Sequence, residues 1–264
     1  MKLQDQTILI TGASRGIGRA IALEFAQHPV NRLILVARSA DQLQTLADEI
    51  EAQGVAALPL VLDLQDAEAV QVAISQTWRD VGPIQILINC AGVAHQTPFL
   101  RSQLPNVETE LSVNLLGTYT VTHCLAKRMA VYGDGVIVNV ASLMGRVAAP
   151  TMATYSATKF ALLGFTQALR QELKPYNIKV VALLPSLTDT GMVRDLAQFR
   201  GVVSAPPKTV AQALVRGLQR DTSEIVVGWQ ARMALFLNRW LPQVMNWVMA
   251  IATPPLPSIA KPTR

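Results

Sequence analysis

The chain has 264 residues, and 23 basic against 18 acidic side chains leave a formal net charge of +5. Half the residues are apolar and 16% are charged, which excludes a disordered chain; the length suits one large α/β domain. Two cysteines cannot build a disulfide framework, and the basic residues are scattered without interleaved aromatics, so neither an oxidising compartment nor a nucleic-acid partner is indicated.

The first strand-like run starts by about Gln6, which leaves no room for a signal peptide and predicts a cytoplasmic protein. Thr7 to Ile10 reads as a buried strand, and Ile17 to Gln27 follows with helical spacing. A strand at Leu33–Val36 leads to a helix over about 40–52, and a strand at Ala57–Leu62 to a helix over about 66–78. Ile84–Ile88 is the fourth strand, followed by one long helix from about Pro105 to Ala130. Val136–Val140 is the fifth, with a helix from about Met152 to Lys174; Lys179–Leu184 is the sixth and Glu224–Val227 the seventh. Strands apolar on both faces and separated by helices predict a doubly wound, seven-stranded parallel sheet of Rossmann type, helices on both faces. Residues 1–228 form a single domain on this reading, with 229–264 as a helical extension.

The first strand runs into Gly12-Ala-Ser14-Arg15-Gly16-Ile17-Gly18. Glycines there allow a tight turn and close approach to a pyrophosphate, which the N-terminus of the next helix would face. A glycine triplet alone is weak evidence; between the first strand and first helix of a βαβ unit it predicts a dinucleotide site. The second strand ends Val36-Ala37-Arg38-Ser39, without the carboxylate that would bond a ribose 2′-hydroxyl. Arg15 and Arg38, with Ser14 and Ser39, could instead reach a 2′-phosphate. Either arginine alone reads as a surface charge; the pair, with the acid absent, favours NADP(H).

Tyr155 and Lys159 stand one turn apart on one helix face, and Ser142 ends the fifth strand, on the carboxyl side where open sheets carry their sites. A lysine beside a phenol favours the phenolate. With Asp63-Leu64, Asn89-Cys-Ala91-Gly92, Asn114 and Pro185 to Thr190, the chain resembles the short-chain dehydrogenase/reductase family in its compact, single-domain form, over roughly residues 5 to 228.

The resemblance implies that Tyr155 is the general acid and that Lys159 lowers its pKa and bonds the nicotinamide ribose. It further implies that Ser142 holds the substrate carbonyl and that Asn114 anchors a water in a proton relay. Asp63 would accept from the adenine amino group, although a local turn is a rival role; Asp66 is the better placed helix cap. Asn89 would tie the central strand to its neighbours and, with Ala91 and Gly92, line the adenosine side. The Thr188 backbone would bond the carboxamide and Thr190 the pyrophosphate. Two positions depart from the family pattern: Cys90, expected to be small, buried and inert, and Ser186, in place of the glycine that usually follows Pro185.

His28, His95 and His123 show no metal-ligand spacing, so no metal is expected. The substrate side should draw on Val93, Phe99, Leu143, Met144, Met152, Leu187, Met192, Leu196 and Phe199, with a short helix in a lid over about 191–203. Few charges appear there, Arg146 and Arg194 excepted, which favours a bulky, mainly apolar ketone or the corresponding secondary alcohol. A non-catalytic NADP-binding sensor or scaffold is the alternative. In the resembling family the helices carrying Asn114 and Tyr155 form an intersubunit bundle, which implies a homotetramer or a homodimer.

From Trp229 to Ala252 the chain holds three of its four tryptophans and three of its eight methionines. Arg232, Arg239, Gln243 and Asn246 fall in one arc at about 100° per residue, and Pro242 should break the segment into two helices. Its wide apolar face is expected to pack on the cleft or a neighbouring subunit. Contact with a membrane surface is the less favoured alternative, because two arginines give little hold on lipid and Pro254-Pro-Leu-Pro257 ends the segment abruptly.

Overall fold

A computed structural model describes residues 2–254 except 195 and 198, without the side chain of Arg194. Three of the residues expected to end the C-terminal segment, 255–257, lie outside the described residues, as does the remainder of the extension. The seven strands are β1 (Thr7–Thr11), β2 (Arg32–Ala37), β3 (Ala56–Val61), β4 (Ile86–Asn89), β5 (Gly135–Val140), β6 (Ile178–Pro185) and β7 (Glu224–Val227). They form one sheet in the order β3-β2-β1-β4-β5-β6-β7, every pair parallel. The order reverses between β1 and β4, which opens a crevice at their carboxyl ends. Ile8, Ile10, Leu33 and Leu35 face one buried layer while Leu9, Ile34, Val36 and Leu87 face the other, so each central strand is apolar on both sides.

The helices are α1 (Gly16–Phe25), α2 (Ala40–Glu51), α3 (Ala67–Val81), α4 (Leu104–Leu111), α5 (Thr118–Tyr132), α6 (Ala153–Glu172), α7 (Gly191–Arg194), α8 (Pro207–Gln219), α9 (Trp229–Trp240) and α10 (Pro242–Ala252). Asp66 caps α3 as expected, accepting the N–H of Ala69 at 2.9 Å. The single long helix expected over 105–130 is instead two, joined by a wider π-helical turn at Ser112–Gly117 that contains Asn114. Gly117 packs there against the backbone of Leu64, where a Cβ would come within 2.8 Å of the Leu64 oxygen.

Pro242 divides the C-terminal segment as expected. One side of the α9–α10 hairpin packs on the domain: Met249 joins Ala149, Met152 and Phe199, and Asn238 donates to the Arg146 carbonyl at 3.0 Å. The other side faces outward in the single chain. Trp229, Trp240 and Trp247 are exposed, because a hairpin one layer deep can bury only its inner face. Among the described residues no helix is long and apolar enough to cross a membrane.

Candidate active site

The crevice begins at the glycine turn. Gly12 lies so close to β4's continuation that a Cβ would be 2.7 Å from the Ala91 Cα, and a Cβ on Gly18 would be 2.2 Å from the Gly12 oxygen. Gly16 adopts φ +58°, a left-handed conformation that favours glycine. The first turn of α1 carries no acidic residue, and no side chain caps it. A cradle with no room for side chains, at a helix N-terminus, fits a pyrophosphate.

Around it the structure gathers Gly12, Ser14, Arg15, Gly16, Ile17, Gly18, Arg38, Ser39, Asp63, Leu64, Ala91, Gly92, Tyr155, Lys159 and Thr190 as walls of one cavity of about 420 Å³. Gln42, Cys90, Val113, Val140, Ala141 and Met192 also line it, with Val36, Ala37, Leu62, Val93 and Gly191; of these the sequence reading had placed Val93, Gly191 and Met192 at the cleft, on its substrate side. Asn89 does not line the cavity. It is buried in the sheet, donating to Thr122 Oγ1 and Asn139 Oδ1, each at 2.8 Å, so it ties strands and α5 together. Pro185 and Thr188 also stay out of the lining; the Thr188 hydroxyl donates to the Ser186 carbonyl at 3.0 Å. Asp63 makes the rival local contact, accepting the Gln65 N–H at 3.0 Å, while its other oxygen lies 3.9 Å from Arg38. That exposed ion pair is weak and leaves the Arg38 guanidinium at the cavity.

Deeper in, Ser142 caps a short turn that is pressed onto α6: a Cβ on Gly145 would be 2.7 Å from the Lys159 carbonyl oxygen. This contact sets Ser142 against Tyr155, whose phenol it hydrogen-bonds. Burial pushes the Tyr155 phenol up to about 12; the Ser142 hydroxyl pulls it back and the charge of Glu110 pushes it further up. Burial thus outweighs the lowering expected from Lys159. Lys159 Nζ donates to the Val140 carbonyl at 3.0 Å and lies 5.5 Å from the Tyr155 ring centre, and burial brings its own pKa down to about 8. Cys90 is half-buried rather than buried, and desolvation pushes its thiol up to about 12, which keeps it an inert thiol.

Asn114 is fully buried, with both ends of its amide taken by protein. It accepts the Val93 N–H at 2.8 Å and donates to the Val93 carbonyl at 2.9 Å and to Thr158 Oγ1 at 3.2 Å. Its amide is therefore a brace for the loop after β4.

On the substrate side Met144, Met152, Leu196 and Phe199 meet beside Tyr155, as expected, while Phe99 stands 74% exposed and takes no part. Arg146 pairs with Glu224 at 3.1 Å and is thus no carboxylate clamp; the side chain of Arg194 lies outside the described residues. Two contributors were missed. Met249 reaches the cluster from α10, and Glu110 is buried against His95 behind the loop.

Over residues 6–201 the chain matches the family model described as short chain dehydrogenase. It is 33% identical to the ketoacyl reductase HetN of Nostoc, over 85% of this chain and 79% of that protein. Identity is 36% to the 3-oxoacyl-acyl-carrier-protein reductase FabG of Aquifex aeolicus, over 75% of this chain and 80% of that one. A short chain dehydrogenase from Burkholderia cenocepacia, solved in complex with NADP, superposes with a TM-score of 0.83 at 26% identity, covering 96% of this chain and 100% of its own.

Proposed function

The chain belongs to the short-chain dehydrogenase/reductase family of oxidoreductases, and on that premise we propose that it is an NADPH-dependent ketoreductase for bulky, mainly apolar ketones. The observation that carries this reading is the half-buried Tyr155 phenol, hydrogen-bonded to Ser142 and set in the wall of the glycine-lined cavity. Arg15 and Arg38 at the same cavity, with no acid at the end of β2, support the 2′-phosphorylated cofactor. So does the NADP held by the Burkholderia relative.

The nicotinamide, when bound, supplies the hydride. The chain's own residues do the rest. Ser142 orients the carbonyl oxygen toward Tyr155. Tyr155 keeps its proton at neutral pH and gives it to that oxygen, acting as the general acid. The Lys159 ammonium, charged below about 8, lies behind the phenol and favours the phenolate left after transfer. The apolar cluster of Met152, Phe199 and Met249 takes the body of the ketone.

The protein also acts as a homo-oligomer in this reading. Leu111, Leu116 and Tyr119 along the α4–α5 run and Phe160 on α6 are exposed in the single chain, an apolar surface suited to a subunit contact. Residues 229–252 serve as a wall of the substrate cleft. Consumption of NADPH against a panel of ketones tests the activity. Turnover of bulky aryl or long-chain ketones is expected, and binding of NADPH without any turnover would turn the reading to a sensor. Light scattering at micromolar concentration is expected to show a dimer or tetramer.

A further inference from the structure

Glu110 has no task in the chemistry above, yet it is one of the most buried charged groups of the described chain, 1% exposed. One carboxylate oxygen accepts the backbone N–H of His95 and lies 3.2 Å from His95 Nδ1. The other, Oε2, is buried without a hydrogen-bond partner among the described residues. Burying an acid with an oxygen unpaired is costly, and a leucine would fill the space without that cost. Asn114, the next turn along, grips Val93 in the same way, so this helical run holds the loop after β4 at two alternate residues.

The loop so held is one wall of the substrate side. The backbone N–H of His95 and its ring Nδ1 converge on a single Glu110 oxygen. That contact fixes the ring and, in the neutral imidazole, places its proton on Nδ1, which leaves Nε2 as an acceptor. The ring is 36% exposed and lines a polar cavity with Gln96, Gln103 and Asn106, which shares Gly92, Val93 and Met192 with the cofactor cleft. Ala94, between the two gripped residues, turns to the apolar cluster of Met152 and Phe199. The substrate side is therefore two-sided, one wall apolar and the other hydrogen-bonding.

Resting on the ketoreductase reading, we infer that His95 is a substrate-binding residue: its Nε2 accepts a hydrogen bond from a hydroxyl or amide N–H that the ketone carries beyond its reacting carbonyl. Glu110 is the positioning residue that fixes the ring for this contact. The substrate class narrows accordingly, to ketones with an apolar body and a hydrogen-bond donor on a separate arm.

Three ketones on one skeleton test this, their arms ending in hydroxymethyl, methoxymethyl or ethyl. Only the first offers a donor. Wild type is expected to favour it over the methoxymethyl ketone roughly three- to tenfold, the size of one hydrogen bond, both in kcat/KM and in the dissociation constant from the protein–NADPH complex. His95→Phe should abolish that preference and Glu110→Gln should reduce it, with NADPH titration reporting that each variant is folded. If His95→Phe does not fold, Glu110→Gln alone decides. A wild type that ranks the two ketones equally, or variants that keep the full preference, would overturn the inference. A wild type that binds the three in the expected order but reduces none would overturn the ketoreductase reading and leave the His95 contact standing.

Discussion

The two ends of the cleft are made of different material. At the phosphate end the walls are backbone: Gly12 and Gly18 approach other main chain so closely that a single methyl group would collide, and Gly16 takes a left-handed conformation. At the substrate end the walls are side chains brought from four distant places: the loop after β4, the turn after Ser142, the segment after α7, and α10. A backbone cradle has few alternatives, so it accepts one class of ligand and tolerates almost no change. A wall of methionines and phenylalanine can be refitted without disturbing the sheet.

Substitutions can break that contrast or sharpen it. The largest effect is expected where the two ends meet. Tyr155→Phe removes the transferable proton and should lower ketone reduction by about 10²–10⁴-fold, with NADPH affinity unchanged by fluorescence titration. Next is Gly18→Ala, whose methyl would sit 2.2 Å from the Gly12 oxygen. It should cost on the order of 1–3 kcal/mol in denaturant unfolding and severely weaken NADPH. Arg38→Ala should weaken NADPH by roughly tenfold, at about 1.4 kcal/mol per decade, and leave NADH almost unaffected.

The pH dependence is a gentler probe. Lys159 is an ammonium below about 8 and loses its charge above, while Tyr155 holds its proton up to about 12. The reductive kcat/KM is therefore expected to fall as pH rises through about 8, measured across a pH series with buffer and ionic strength matched. Met249→Ala should have the smallest effect, raising KM a few-fold for bulky ketones and leaving small ones alone. If it abolished activity on all ketones, the view of this end as refittable would fail.

Most of the fold was legible because it rests on repeating, local patterns. Double-sided apolar strands announced the parallel sheet, and Asp66 announced the start of α3. The cradle was legible for the same reason, since its glycines are spaced by the turn they make. Asn89 and Asn114 were recognisable as important, but not their partners: Asn89 donates to Asn139, 50 residues away, and Asn114 to Thr158, 44 residues away. Arg146 invited a functional role, yet its partner Glu224 stands 78 residues on, a distance no spacing rule spans. Glu110 was hidden by an inversion. It is buried while the adjacent Leu111 is 43% exposed, the reverse of what hydropathy assigns to neighbours on a helix. Such inversions are the mark of a surface or site whose partner is not in the chain's own core.

The π-helical turn at Ser112–Gly117 gives the molecule one place where chain length can change without a change of phase. A wide turn of this kind carries one residue more than an α-helix needs and absorbs it locally, so the helix on either side keeps the faces of an unbroken α-helix one residue shorter. Glu110 thus faces the loop after β4 while Val121 and Leu125 face the sheet. Excising a single residue from the turn would let the ladder close as ordinary helix with those faces kept. The same excision in the mid-portion of α2 would rotate everything beyond it by about 100°. A one-residue deletion should therefore be far better tolerated here than in α2.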